Sequence, residues 1–256
     1  MPPVFTPRNT GAIQMDEPHK VLLYAHHGFG KTFQAGKFET AFGKGLVLSG
    51  EGGLKSLANS NIDYFPFQSW DGLVDPANDI FSFRSLAGYV SGPDFAAAGY
   101  KWIAIDSLTE LSDRLMEHVA AEHAGDDKKN GFAIWDEYGT KLIGALKWVR
   151  DLPVHVLVTS LAKEESDIND NAEFWPMVKG KAVAKQIPGL FDHVFCGVRV
   201  TETQTDGQVK VKRLIITDEV NGWHGKVRDP FNRVKPFEDG ADITDLLLRM
   251  QQRPTV

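Results

Sequence analysis

The stretch from Ala25 to Thr32, with the sequence Ala-His-His-Gly-Phe-Gly-Lys-Thr, constrains the fold of this chain more than any other. It follows the apolar run Val21–Tyr24, which predicts a buried strand, and it precedes Phe33–Phe42, which can continue as a helix. A glycine-containing turn between a strand and a helix, ending in Gly-Lys-Thr, is the context of a phosphate-binding P-loop. We therefore expect an α/β chain with a nucleotide site at this turn.

Each part of the loop has a chemical task. Backbone N–H groups of a glycine-rich turn point at phosphate oxygens, and the following helix N-terminus adds positive potential. The lysine reaches the terminal phosphates, and the threonine hydroxyl is placed to hold Mg²⁺. The predicted nucleotide-binding residues are Ala25, His26, His27, Gly28, Phe29, Gly30, Lys31 and Thr32. Ala25 replaces the first glycine of the usual pattern, at a strand exit where we expect a small residue to suffice. The alternative interpretation is a plain glycine turn with a surface lysine.

Composition limits what surrounds the loop. The 256 residues fit one large α/β domain, and the net charge of −6 excludes a global basic field for nucleic acid. The single cysteine, Cys196, excludes an intramolecular disulfide framework, and its apolar flanks predict a buried thiol. No apolar run approaches the ~20 residues of a membrane span. We therefore expect no membrane association and, by default, a cytoplasmic setting.

Carboxylates follow two further predicted strands. Leu46–Leu48 leads into Ser-Gly-Glu-Gly-Gly, which places Glu51 at the carboxyl end of a strand, where open α/β sheets bind their ligands. Trp102–Ile105 ends at Asp106, which favours a Walker B carboxylate that holds Mg²⁺ together with Thr32. The alternatives are a solvated turn residue for Glu51 and a helix N-cap for Asp106.

The order of elements predicts a mostly parallel central sheet flanked by helices, because apolar strands alternate with helical segments up to about residue 160. Beyond it, two strands joined at Asp206-Gly207 predict a β-hairpin. We expect a single domain over residues 1–256, with a loosely held lead-in at 1–17, a β-hairpin-rich extension at 191–235 and a C-terminal helix at 241–251. Further strands are predicted at Ile62–Phe67 and Val154–Val158, and helices at Leu108–Ala124 and Trp135–Val149.

Taken together, the P-loop, Gly50-Glu51-Gly52 and the run Ile105–Leu111 resemble the core of RecA-type ATPases. More narrowly, the chain is similar to phage-encoded AAA-type proteins that have a minimal RecA core and are associated with phage recombination and single-strand annealing. The resemblance extends from about residue 19 to 235 and includes Trp135, Val158–Ser160, Pro188–Asp192 and Gly225–Asp229. It implies a RecA-like P-loop NTPase with a β-rich C-terminal portion, ATP and Mg²⁺ as cofactors, and ATP hydrolysis.

The resemblance also implies roles for single residues. Glu51 is expected to activate the attacking water. Thr159 or Ser160 would sense the γ-phosphate, although the RecA-type glutamine is missing at this position. Lys226 and Arg228 resemble the Lys-x-Arg pair that enters a neighbour's active site, which would make the working unit a homo-oligomeric ring or filament. The alternative for that pair is an exposed basic turn.

Candidate DNA contacts lie in the loops after Ala124 and after Ser160, which correspond to the two DNA loops of RecA. Lys128, Lys129, Lys179 and Lys181 could meet phosphates, and Trp175 could stack on bases. Acidic residues in the second loop oppose this role, and a packed or partner-facing Trp175 is the favoured alternative.

The predicted function is ATP hydrolysis coupled to single-stranded DNA in phage recombination or annealing, in the host cytoplasm, with a single-strand-binding protein as a candidate partner. One alternative is a nucleotide-dependent assembly or loader module with slow hydrolysis. Another is a DNA packaging or helicase-type motor.

Overall fold

A continuous twisted sheet places the phosphate loop near its centre. The computed structural model describes residue 9 and residues 17–124, 131–204, 206–240 and 242–252. The strands are β1 (Lys20–Ala25), β2 (Gly45–Ser49), β3 (Asp63–Pro66), β4 (Trp102–Asp106), β5 (His155–Ser166), β6 (Ala172–Pro176), β7 (His193–Thr203), β8 (Val209–Ile216), β9 (Glu219–Val220), β10 (Trp223–His224) and β11 (Phe237–Asp239). The order across the main sheet is β11-β8-β7-β1-β5-β4-β2-β3.

Six of these eight strands run parallel, and β8 and β11 are antiparallel additions at one side. Strand β1 lies between β5 and β7, so that Ala25 faces Leu161 on one side and Gly197 on the other. Every residue of β1, β2 and β4 is buried, as expected of strands covered on both faces. This architecture confirms the predicted α/β class with a mostly parallel sheet.

Helices cover the two faces of the sheet in separate layers. They are α1 (Phe33–Phe42), α2 (Phe83–Val90), α3 (Pro93–Ala98), α4 (Leu108–Glu122), α5 (Gly131–Arg150), α6 (Lys181–Gln186) and α7 (Ile243–Gln251). Phe38 of α1 and Leu246 of α7 pack in one core with Leu23 of β1. Leu115 of α4 and Leu142 of α5 lie in the other core. The helix after the phosphate loop therefore starts at the carboxyl edge of a fully buried strand.

The region after Ser160 differs from the expectation of a loop. Strand β5 continues to Ser166 and pairs antiparallel with β6, and β6 is joined by β10 and β9 in a small second sheet. The sequence did not reveal this hairpin because Lys163–Asn171 is polar apart from Ile168 and lacks the apolar alternation of a half-buried strand. Strand β7, predicted within a C-terminal extension, pairs with β1 in the main sheet.

None of the helices in the described ranges combines the length and the apolar character needed to cross a bilayer.

Candidate functional site

The loop after β1 takes a conformation that only glycine accommodates easily at two positions. Gly28 and Gly30 have φ of 75° and 104°, in the left-handed region that disfavours a side chain. Phe29, between them, is 1% exposed and anchors the loop. A Cβ on Gly197 of β7 would lie 2.6 Å from the Phe29 ring, so the missing side chain there makes room for the anchor. The packing of Phe29 against β7 thus holds the loop in place, and the loop backbone can face a ligand.

Lys31 lies inside the loop with 9% exposure. Its ammonium donates to the carbonyl oxygen of Ala25 at 3.1 Å and to that of His26 at 3.4 Å. Burial lowers the Lys31 pKa, while the charges of Glu51 and Asp106 act in the opposite direction. Lys31, Thr32 and Glu51 line one cavity of about 240 Å³. The predicted lysine, threonine and glutamate therefore share a single space.

The predicted metal side is built by the start of α1 and the end of β4. The Thr32 hydroxyl donates to Asp106 Oδ2 at 2.8 Å, and Asp106 is 3% exposed. Thr159, in the middle of β5, donates through its hydroxyl to Asp106 Oδ1. Gly53 approaches the same place, since a Cβ on it would lie 3.3 Å from Thr32 Oγ1.

This oxygen set fits Mg²⁺, which binds through one or two protein oxygens plus substrate phosphates and keeps several waters. Thr32 and Asp106 would hold it, and Thr159 would orient the carboxylate. Within the described residues no group of three or more His, Cys, Asp or Glu side chains forms an all-protein metal cage. A nucleotide-dependent Mg²⁺ site needs no such cage.

Glu51 is drawn toward Asp106 by the backbone. The N–H groups of Gly50 and Glu51 donate to the Asp106 carbonyl at 2.8 and 3.3 Å. The Ser107 hydroxyl, which is fully buried, donates to Glu51 Oε1. Ser107 Oγ also accepts from Glu110 N at 3.4 Å as the N-cap of α4. The cap is therefore Ser107 and not Asp106, which removes the capping alternative for Asp106.

The two sensor candidates lie on opposite faces of β5. Thr159 contacts Asp106, as described, and belongs to the site. Ser160 is buried on the other face, where its Oγ lies 3.2 Å from Thr109 Oγ1 and accepts from Met177 N at 3.2 Å. Ser160 therefore joins α4 to the segment that follows β6. Only Thr159 is brought together with the predicted metal residues.

Lys226 and Arg228 lie at the opposite edge of the sheet from the phosphate loop. Lys226 pairs with Val194 near the start of β7, and its ammonium donates to the Pro188 carbonyl at 3.0 Å. The Arg228 side chain is 70% exposed, and its Nε lies 3.3 Å from Asp192 Oδ1. Within one chain the pair does not meet the site.

The candidate DNA contacts fall into three situations. Lys128 and Lys129 lie outside the described residues. Lys179 and Lys181 form ion pairs with Asp113 and Glu165, at 3.1 and 3.2 Å.

Trp175 is 9% exposed, which agrees with the packed alternative weighed for it. Its ring stacks on His224 at 3.7 Å between centroids, and the Lys185 ammonium lies 4.9 Å from its centroid. Trp175 could stack on a base only after a rearrangement of these neighbours.

Sequence reasoning missed three residues that touch the site. Ser107 follows the Walker B carboxylate and signals only a helix cap in the sequence. Arg199 and Arg213 come from the β7–β8 hairpin and reach the phosphate loop, although Arg213 is 184 residues from Phe29 in the chain. Nothing local in the sequence marks them. Cys196 is fully buried, as predicted, and burial raises its pKa.

A family model described as "AAA domain" matches residues 17–228. A comparison with curated protein sequences gave no match.

Among solved structures, the chain is similar to a type III secretion system ATPase of pathogenic bacteria, with 16% identity, a TM-score of 0.39, and coverage of 70% of this chain and 51% of that one. It thus spans about half of that protein's length. The flagellar accessory protein FlaH of Methanocaldococcus jannaschii gives 10% identity and a TM-score of 0.38, covering 89% of this chain and 93% of that one. The ATPase DotB of Legionella pneumophila gives 9% identity and a TM-score of 0.31, covering 82% and 49%.

Proposed function

The chain belongs to the AAA domain family, and from this premise we propose that it binds and hydrolyses ATP with Mg²⁺ at the loop Ala25–Thr32. One observation carries the proposal. Lys31 and Thr32 of the loop, Glu51 after β2 and Asp106 of β4 come from three segments of the chain and lie together at the carboxyl edge of the sheet.

The geometry supports the following roles. Backbone N–H groups of the loop and the Lys31 ammonium bind the phosphates and stabilise the charge that develops on them. Glu51 accepts a proton from the attacking water. The water oxygen bonds to the terminal phosphorus as the bond from that phosphorus to the ADP oxygen breaks. Thr32 and Asp106 would hold Mg²⁺, which would supply positive charge to the phosphates. Ser107 fixes the carboxylate of Glu51.

We further propose that the ATPase works as a homo-oligomer on single-stranded DNA in phage recombination or annealing, in the host cytoplasm, with a single-strand-binding protein as a candidate partner. This part rests on the sequence resemblance. The exposure of Arg228 and its distance from the chain's own site support action in a neighbouring subunit.

A second function, a nucleotide-dependent assembly or loader module, is favoured by the β5–β6 hairpin. Between Lys163 and Pro176 this hairpin has five carboxylates and one lysine. Ile168 at its tip is 99% exposed. Carboxylates repel a phosphate backbone, whereas an exposed isoleucine among them suits a protein partner.

ATP turnover measured with and without single-stranded DNA separates the two functions. We expect Lys31→Ala and Glu51→Gln to lower turnover about 10²-fold or more. Lys37→Ala is the matched control, because Lys37 lies on α1 and pairs with Asp242 at 3.2 Å, away from the loop.

DNA stimulation that is lost in the two site variants supports the recombination proposal. Tight ATP binding with no effect of DNA favours the loader. Turnover that both site variants leave unchanged contradicts ATP hydrolysis at this loop.

The action of Arg228 in a neighbouring subunit has its own test. Arg228→Ala subunits mixed with Lys31→Ala subunits should recover part of the activity. An interface between the two variants can combine the intact loop of one subunit with the intact Arg228 of the other. No recovery from folded, assembling subunits contradicts shared sites.

A further inference from the structure

The β7–β8 hairpin carries two arginines directly opposite each other. Arg199 on β7 pairs in register with Arg213 on β8. Like charges at such positions repel and destabilise the strand pair. On the other face of the same hairpin, Lys212 forms an ion pair with Glu202 at 2.8 Å. The hairpin therefore has an ion pair on one face and, among the described residues, two unpaired positive charges opposite each other on the other face.

Both arginines reach the phosphate loop. Arg213 Nε donates to the Phe29 carbonyl at 2.9 Å. Arg199 Nη1 would lie only 2.8 Å from a Cβ on Gly28, so the guanidinium rests against a backbone that has no side chain in the way. Arg199 also lines a cavity of about 300 Å³ together with His27, which in turn lines the cavity that holds Lys31 and Glu51.

No carboxylate pairs with either guanidinium in the described part of the chain. Both residues are exposed, but their contacts differ. Arg213 donates to a carbonyl of the loop and supports its shape, whereas the Arg199 guanidinium lies beside Gly28. A planar guanidinium offers paired N–H donors that match the oxygens of a phosphate. An anion bound in the loop would relieve the repulsion between the two arginines.

We propose that Arg199 binds the terminal phosphate of the nucleoside triphosphate within its own subunit, and that Arg213 positions the loop for this contact. The ligand class is a phosphoanhydride, and the inference rests on the proposed function. The terminal phosphate is assigned because Gly28 lines the same cavity as Glu51, the carboxylate that would activate water. The β7–β8 hairpin is then the cationic wall of the site, opposite the acidic wall of Glu51 and Asp106.

Binding of ADP and of a non-hydrolysable ATP analogue, each with Mg²⁺, tests the assignment by calorimetry. Arg199→Ala should weaken the ATP analogue about tenfold or more and change ADP affinity little, since a charge-assisted contact to the terminal phosphate is lost. Arg199→Lys should recover part of the difference. Lys212→Ala removes the same charge from the other face and should affect neither nucleotide.

The outcomes separate this inference from the proposed function. Binding losses in Arg199→Ala that match those of Lys212→Ala, or that are equal for the two nucleotides, overturn the assignment while ATP hydrolysis at the loop stands. Wild-type protein that binds neither nucleotide overturns both. Thermal unfolding of each variant shows that the comparison is made between folded proteins.

Discussion

Strands β1, β5 and β7 carry a polar cluster at each end, and the two clusters differ in what satisfies their polar groups. At the carboxyl edge, Lys31 donates to carbonyls of a loop that opens on a cavity. At the amino edge, Lys20 is 7% exposed and donates to the carbonyls of Leu152 and Val154. Two buried lysines on one strand and its loop thus serve different ends. Lys31 lines a cavity, whereas Lys20 joins β1 to the segment that precedes β5.

Histidines complete the amino-edge cluster. His193 Nε2 lies 3.3 Å from His19 Nδ1, and His19 Nε2 contacts the Gln251 side chain at 2.9 Å. His155 Nδ1 accepts from the His19 backbone N–H at 3.0 Å, and His193 Nδ1 accepts from that of Arg228 at 3.4 Å. These acceptor nitrogens must be unprotonated. The cluster is therefore built for neutral imidazoles, in contrast to the charged carboxyl edge.

The largest predicted effect is a loss of stability in acid, through the histidines of the amino edge. Burial, aided by neighbouring positive groups, lowers the pKa of His19 to about 3 and those of His155 and His193 to about 4. The unfolded chain, with an ordinary histidine pKa of about 6.5, takes up these protons first as pH falls. Above pH 6.5 the histidines are neutral in both states and do not lower the free energy of unfolding. Below pH 6.5 the free energy of unfolding falls progressively toward pH 4, by about 1.4 kcal/mol per pH unit for each histidine.

Unfolding free energy measured by denaturant between pH 4 and 8 checks the acid prediction. His193→Gln should flatten the dependence, and His118→Gln should not, because His118 lies on α4 beside Glu122 and outside the cluster. An unchanged slope in His193→Gln contradicts the assignment.

The two lysines give the second comparison. Lys20→Met should lower the unfolding free energy by about 2 kcal/mol, because two buried carbonyls lose their donor. ATP turnover per folded molecule should stay near that of the wild type. Lys31→Met should do the reverse, with turnover lost and stability little changed. Thermal unfolding and ATP turnover of both variants, measured side by side, check the prediction. Equal losses of stability and of turnover in the two variants would contradict different roles for the two lysines.

The sequence predicted the carboxyl edge far better than the amino edge. Strand β1, the loop, α1 and the run from Trp102 to Asp106 are local patterns in which apolar periodicity and glycine positions fix the outcome. The histidine cluster escaped notice because His19 and His193 are 174 residues apart in sequence.

The same reason hid Arg213, which meets Phe29 only through the pairing of β8 with β7 and of β7 with β1. The pairing of β6 with β5 was missed for a different reason, since the segment that joins them is mostly polar and shows no apolar period. Short-range sequence patterns thus predict a loop between one strand and one helix. The residues around that loop are brought there by strand pairing, which these patterns do not predict.

The smallest predicted effect concerns Ser107, which connects the carboxyl-edge site to α4. Ser107→Ala removes the donor to Glu51 Oε1, so that the carboxylate is less often oriented toward water, and we expect turnover to fall about tenfold with little change in ATP affinity. The same variant loses the N-cap, which should cost about 1 kcal/mol of stability. Ser107→Thr keeps a hydroxyl and should restore most of the rate.

Ser112→Ala separates positioning from stability in this comparison. Ser112 is also fully buried on α4, but its hydroxyl contacts Tyr138 Oη at 2.7 Å and lies away from Glu51. It should therefore lower stability without lowering turnover at temperatures where both variants are folded. Equal turnover in the two alanine variants would mean that Ser107 acts only as a cap, and that Glu51 is oriented by its backbone contacts to Asp106 alone.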